Sequence, residues 1–246
     1  MRITRLISIA DILTLVNALL GFSAIILALD GQIVFSIYAI LLGILCDGLD
    51  GVVARRFSRK WYLGDYLDVM ADTTSFCVAP SVVIFVTTRA WMESAAGMYG
   101  TAVLYAACGA TVVCGLLRLA RFCYLSGGHS STFIGLPSPG SALVLALLAL
   151  QPFFSVNALP PWINVAAAFV LAGLMVSDLR YPKVRGIYAY VSGAAIFLVM
   201  LTERFDAARM LSEFLLDVGL MLAIAYVALG PFSLGLRTRR GGHGPG

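Results

Sequence analysis

Four aspartates, Asp47, Asp50, Asp68 and Asp72, stand in the stretch CDGLDGVVARRFSRKWYLGDYLDVMAD. Asp47 and Asp50 are three apart and Asp68 and Asp72 four apart, so on a helix each pair shares one face. The flanks, IYAILLGILC before and TTSFCVAPSVVIFV after, are apolar. In such a setting each charge costs ~2.5–3.5 kcal/mol on insertion scales. Four carboxylates there repel one another and draw protons. A bound divalent cation removes both costs, and oxygen-only donors favour a hard metal such as Mg²⁺ or Mn²⁺.

The elements that must hold these residues are membrane helices. The 246-residue chain is 60% hydrophobic and 12% charged, against about 45–50% and about 25% for soluble domains. Stretches near the ~20 residues of a span lie at roughly 11–29, 33–54, 66–88, 98–124, 139–155, 162–177, 187–202 and 212–231. The fifth and sixth are short and flank Pro160-Pro161. The expected fold is an all-α, polytopic transmembrane helix bundle of six to eight spans. It forms one domain over 1–236, followed by a disordered basic tail over 237–246. Arg2 and Arg5 open the chain without a small-residue cleavage site, so no cleavable signal is expected.

With an even number of spans both termini share a side. Placing them in the cytoplasm leaves only Arg89, Arg204 and Arg209 outside, and 14 of the 17 basic residues at or near the inner face. The aspartates then sit at the cytoplasmic ends of spans two and three, within reach of water-soluble substrates. The net charge of +4 is spread over helix ends and does not point to nucleic acid. The five cysteines (Cys46, Cys77, Cys108, Cys114, Cys123) lie in apolar segments with no Cys-x-x-Cys spacing, and read as buried thiols.

The full spacing is Asp-x2-Asp-Gly-x2-Ala-Arg-x8-Gly-x3-Asp-x3-Asp, carried by Asp47, Asp50, Gly51, Ala54, Arg55, Gly64, Asp68 and Asp72. This resembles the signature of the CDP-alcohol phosphotransferase family at all eight fixed positions. The resemblance implies that Asp47, Asp50, Asp68 and Asp72 hold divalent metal, two Mg²⁺ or Mn²⁺ ions, with Asp72 also the candidate catalytic base. It implies that Gly51, Ala54 and Gly64 let a nucleotide lie against the helices. Without it, small residues at these positions read as close helix packing. Arg55, on nearly the face of Asp47, is suited to a phosphate by its fork of donors. Thr14 and Asn17 share a face of the first span. The resemblance points them at the nucleotide, and an interhelical hydrogen bond is the alternative.

Two further segments resemble the serine-accepting branch of the family, the phosphatidylserine and archaetidylserine synthases. They are Ser75-Phe-Cys-Val-Ala-Pro80, and Arg118-Leu-Ala-Arg121-Phe122 followed by Phe133-Ile-Gly135-Leu136-Pro137-Ser-Pro139. Cys77 stands where that branch usually has Gly, and Val69 where Ser is common. The implied reaction moves a phosphatidyl or archaetidyl group from CDP-diacylglycerol or CDP-archaeol to the hydroxyl of L-serine and releases CMP. Divalent metal would neutralise the diphosphate and stabilise departing CMP.

Arg118 and Arg121 are suited to the serine carboxylate, with snorkelling as the alternative. Gly135 and Pro137 would shape a loop over the acceptor. His129 reads as a solvated loop residue. The alternative acceptors are glycerol 3-phosphate or an inositol phosphate, whose phosphate dianions call for more converging arginines. A carboxylate-coupled transporter is a different class, and calls for a matching acidic set in the C-terminal half that the sequence lacks. The resemblance further implies a homodimer in the cell membrane with its active site at the cytoplasmic face.

Overall fold

The computed structural model describes residues 9–57, 62–125, 132–154, 159–182 and 209–240. In chain order the helices are α1 (Ile9–Leu29), α2 (Ile33–Phe57), α3 (Tyr62–Asp72), α4 (Ala79–Leu125), α5 (Ser138–Phe154), α6 (Trp162–Val176) and α7 (Arg209–Arg240). A π-helical turn, Thr73–Val78, joins α3 to α4. The all-α expectation holds, with one small addition. Strands β1 (Thr132–Ile134) and β2 (Arg180–Pro182) pair antiparallel, with Phe133 opposite Tyr181. Such short strands 48 residues apart carry no period-2 pattern long enough to register in the sequence.

The buried stripe of α1 runs Asp11, Thr14, Asn17, Gly21, Ala24, Ala28, the three-and-four spacing of one helical face. Its first half is polar and its second half small. Ile12, Leu15, Leu19, Phe22 and Leu29 point outward, where lipid is the fitting solvent. Small residues let α2 pack closely along α1, and Ser36 Oγ donates to the Ala24 carbonyl at 2.6 Å across that contact. The wider core follows the same rule, with Ala79, Ala107, Ala142, Ala149, Ala168 and Ala172 buried among Leu, Ile and Val.

Two irregularities shape the middle of the chain. Pro80 lacks an N–H and its ring crowds the carbonyl four residues back. The wider π turn lies over that carbonyl, at Phe76, and such turns re-aim the side chains around them. Within α4, Gly97 takes φ 55, ψ −135. A Cβ at Gly100 would collide with the Met92 carbonyl, so the chain turns tightly here. A straight helix of α4's 47 residues would be about 70 Å long, more than twice the hydrocarbon core.

Among the described residues, three helical stretches are long and apolar enough to cross a membrane: Asp11–Leu29, Tyr66–Tyr124, which contains the Gly97 break, and Phe214–Pro231. Ile33–Leu49, Ser138–Phe153 and Trp162–Val176 are shorter apolar helices. The expected span 187–202, the loop with His129, and Arg59 and Lys60 lie outside the described residues. Of the tail expected from 237, α7 includes residues to Arg240, and 241–246 lie outside the described residues. Basic residues suit the negative end of a helix. None of the five cysteines, all among the described residues, is in a disulfide.

Candidate active site

The polar half of α1 runs along α3. Thr14 Oγ1 donates to Asp68 Oδ1 at 2.7 Å. Asn17 Nδ2 reaches Asp72 Oδ1 at 3.5 Å, the long limit of such a bond. Each α1 residue thus addresses one aspartate of the α3 pair, because a three-residue step on α1 meets a four-residue step on α3. The interhelical alternative for Thr14 and Asn17 is the one observed: the pair bonds across helices, at the carboxylates of α3. Among the described residues, Asn17 Oδ1 is buried without a hydrogen-bond partner.

Small residues make room here. A Cβ on Gly43 would come 2.8 Å from Asn17 Oδ1, and one on Gly64 3.0 Å from Asp11 Oδ1. Asp11 is buried and adds a further carboxylate beside Gly64. Ser75, on the π turn, donates from Oγ to the Asn17 carbonyl at 2.8 Å and locks the turn onto α1.

Asp47, on α2, interacts electrostatically with Asp68 and with Arg118. Arg118 also lies within electrostatic reach of Asp72, Cys77 and Tyr226. It is buried, donates from Nη1 to Ser138 Oγ at 2.9 Å, and sits 5.7 Å from the Phe122 ring centroid. The guanidinium is thus buried beside carboxylates on α2 and α3, and its fork of donors suits planar anionic groups.

The structure therefore brings together Asp47, Asp68, Asp72, Thr14, Asn17, Gly64 and Arg118. Gly51, Ala54 and Arg55 continue α2 beyond Asp47. The side chains of Asp50, Ala54 and Arg55 lie outside the described ones. Among the described residues, no three His, Cys, Asp or Glu side chains form a group able to hold a metal. The donor chemistry nevertheless suits a hard cation, since the converging anionic groups are all carboxylates.

Arg121 is employed differently from Arg118. Its terminal nitrogens face the carbonyls of Ile134, Met175, Val176 and Ser177 and the carboxylate of Asp178. Gly135, at φ 80, lies beneath it. A side chain there would collide with the Met175 carbonyl. Leu136 and Pro137 lead from it to Ser138. Tyr181 closes the far side: its hydroxyl donates to the Val227 carbonyl at 3.2 Å, and burial pushes its pKa up, keeping it a donor.

Sequence reasoning missed Asp11, Ser138 and Asp178. Asp11 had a signal, since it continues the three-residue step of Thr14 and Asn17 toward the N-terminus. Asp178 had none, because its contact with Arg121 spans 57 residues.

The family model described as CDP-alcohol phosphatidyltransferase matches residues 7–177 of this chain. An archaetidylserine synthase of Methanothermobacter thermautotrophicus is 34% identical over 193 residues, 76% of this chain and 75% of that protein. A CDP-diacylglycerol–serine O-phosphatidyltransferase of Methanocaldococcus jannaschii is 32% identical over 200 residues, 80% of this chain and 86% of its own length. One of the same name from Mycobacterium leprae is 31% identical over 230 residues, 90% of this chain and 73% of that protein.

Proposed function

This chain belongs to the CDP-alcohol phosphatidyltransferase family, and on that premise we propose that it transfers a phosphatidyl or archaetidyl group from a CDP-linked lipid to the hydroxyl of L-serine, releasing CMP. The observation that carries this reading is the meeting of Asp68 and Asp72, held from α1, with the buried Arg118 near Asp47 and Asp72. Carboxylates and a guanidinium in one apolar setting suit a substrate that brings both a diphosphate and an amino-acid carboxylate.

Asp47, Asp50, Asp68 and Asp72 would hold two divalent ions, Mg²⁺ or Mn²⁺. When bound, these ions supply neutralisation of the diphosphate and stabilisation of the departing phosphate. Thr14 fixes the Asp68 carboxylate and Asn17 steadies Asp72. The buried Asn17 Oδ1 accepts from the nucleotide, which lies along Gly51, Ala54 and Gly64, with Arg55 at a phosphate. Arg118 takes the serine carboxylate in a charge-assisted pair.

Asp72 accepts the proton of the serine hydroxyl as its oxygen attacks the lipid-side phosphorus. The new O–P bond forms, the bond from that phosphorus to the bridging oxygen breaks, and CMP departs with that oxygen. Positioning and charge stabilisation provide most of the acceleration. The names of the relatives support serine as acceptor. A homodimer in the cell membrane with the site at the cytoplasmic face completes the proposal.

The test is CMP release by the purified chain, given ester or ether CDP-lipid, Mg²⁺ or Mn²⁺, and one acceptor at a time. Release with L-serine alone, abolished by EDTA, is the expected result. Release only with glycerol 3-phosphate or an inositol phosphate would move the chain to another branch of the family.

A further inference from the structure

We infer that Arg121 is a positioning residue: from α4 it caps the C-terminal end of α6, clips the 132–138 segment onto that end, and so holds Ser138 against Arg118. The inference rests on the reading that Arg118 binds the acceptor's carboxylate.

The last four carbonyls of a helix have no partner within it. At the end of α6 the Gly173 carbonyl accepts from the Ser177 N–H at 3.1 Å, and the Leu174 carbonyl from the Leu136 N–H at 3.0 Å. The remaining two go to Arg121, Met175 to Nη2 and Val176 to Nη1, each at 3.3 Å. The same guanidinium donates to the Ser177 carbonyl at 2.9 Å and, across the gap, to the Ile134 carbonyl at 3.1 Å. Asp178 Oδ1 completes the set at 3.2 Å. A cation at this end of a helix is also favoured by the helix dipole. Five acceptors surround the two terminal nitrogens, which leaves them nothing to offer a substrate.

The clip has a consequence three residues further on. The Gly135 N–H donates to the Leu179 carbonyl at 2.8 Å, beside the ladder of β1 and β2. From there Leu136 and Pro137 run directly to Ser138, which opens α5 and whose hydroxyl accepts from Arg118. Arg118 and Arg121 are one turn apart on α4. One faces the carboxylates and the other faces backbone. Loosening the second releases the partner that orients the first.

The experiment uses the full chain in lipid nanodiscs. Amide hydrogen exchange at Gly135 and Leu136 should quicken by about tenfold or more in Arg121→Lys, because a single ammonium cannot span the four carbonyls. It should stay within about twofold of wild type in Arg118→Ala. Unchanged exchange in Arg121→Lys would overturn the clip.

Kinetics read the coupling. Arg121→Lys should raise the acceptor KM about tenfold, the effect of one mis-set charge-assisted bond, and leave the CDP-lipid KM nearly alone. Added to Arg118→Ala it should cost less than about twofold more. Equal rises in both KM values, or fully additive losses, would contradict the positioning role.

Ser138→Ala separates the two halves if Arg121→Lys does not fold. It should raise the acceptor KM with no change in exchange at Gly135, and an unchanged KM would sink the link to Arg118. Failure of the serine reading shows separately, as wild-type CMP release with another acceptor only. The exchange result decides the clip in either case.

Discussion

Asp68 carries the most testable chemistry of any single residue. Its carboxylate receives Thr14 Oγ1 at 2.7 Å and lies within electrostatic reach of Asp47. Asp68→Asn keeps the size and the hydrogen bond but removes the charge. It should lower turnover by about a hundredfold or more, the scale of a lost charge-stabilising group, while the protein still extracts as a folded membrane protein. Near-normal CMP release from that variant would remove Asp68 from catalysis. Thr14→Val should be milder, about three- to tenfold in kcat, since it frees the carboxylate without removing it. The aspartates were legible in the sequence because charge is expensive in apolar chain and their spacing is rigid. The separate uses of Arg118 and Arg121 were not. Both are arginines three apart on one face, and what distinguishes them is the backbone carbonyls at the end of α6, groups that every residue carries.

At the scale of elements, the π turn and the glycine kink determine where those residues point. The run Ser75 to Pro80 could be matched as a motif, but its physical content is the π turn that Pro80 favours and Ser75 docks onto α1. Ser75→Ala should lower stability by ~1 kcal/mol, the usual worth of one buried hydrogen bond, seen as a reduced unfolding midpoint in detergent. No fall in the midpoint would mean the docking bond contributes nothing. Gly135→Ala should cost more than that, because it adds a strained φ to a collision with the Met175 carbonyl. The helices α1 and α2 were readable as continuous apolar stretches. The break at Gly97 was legible as well, since the spans expected at 66–88 and 98–124 part just before it, whereas the β1–β2 pairing was hidden by its shortness.

For the whole molecule, small and branched apolar residues fill the core among the described residues, and many large apolar side chains also face outward. Met98, Tyr99, Met221 and Leu229 are among the most exposed side chains, which suits a lipid surround. The charge distribution predicts that a reporter fused after Gly246 reads as cytoplasmic. One inserted at Ala95, in the turn of α4, should read as external. The reverse pattern would place the carboxylates out of reach of cytoplasmic serine.

The proposed reaction is a coupled exchange, CMP out and serine onto lipid, at the carboxylates between α1, α2 and α3. Its most direct test supplies the purified protein with CDP-lipid, Mg²⁺ or Mn²⁺, and labelled L-serine, and counts both products in the same reaction. One labelled lipid for each CMP released is the expected result. CMP without labelled lipid would mean hydrolysis or a different acceptor, and would contradict it.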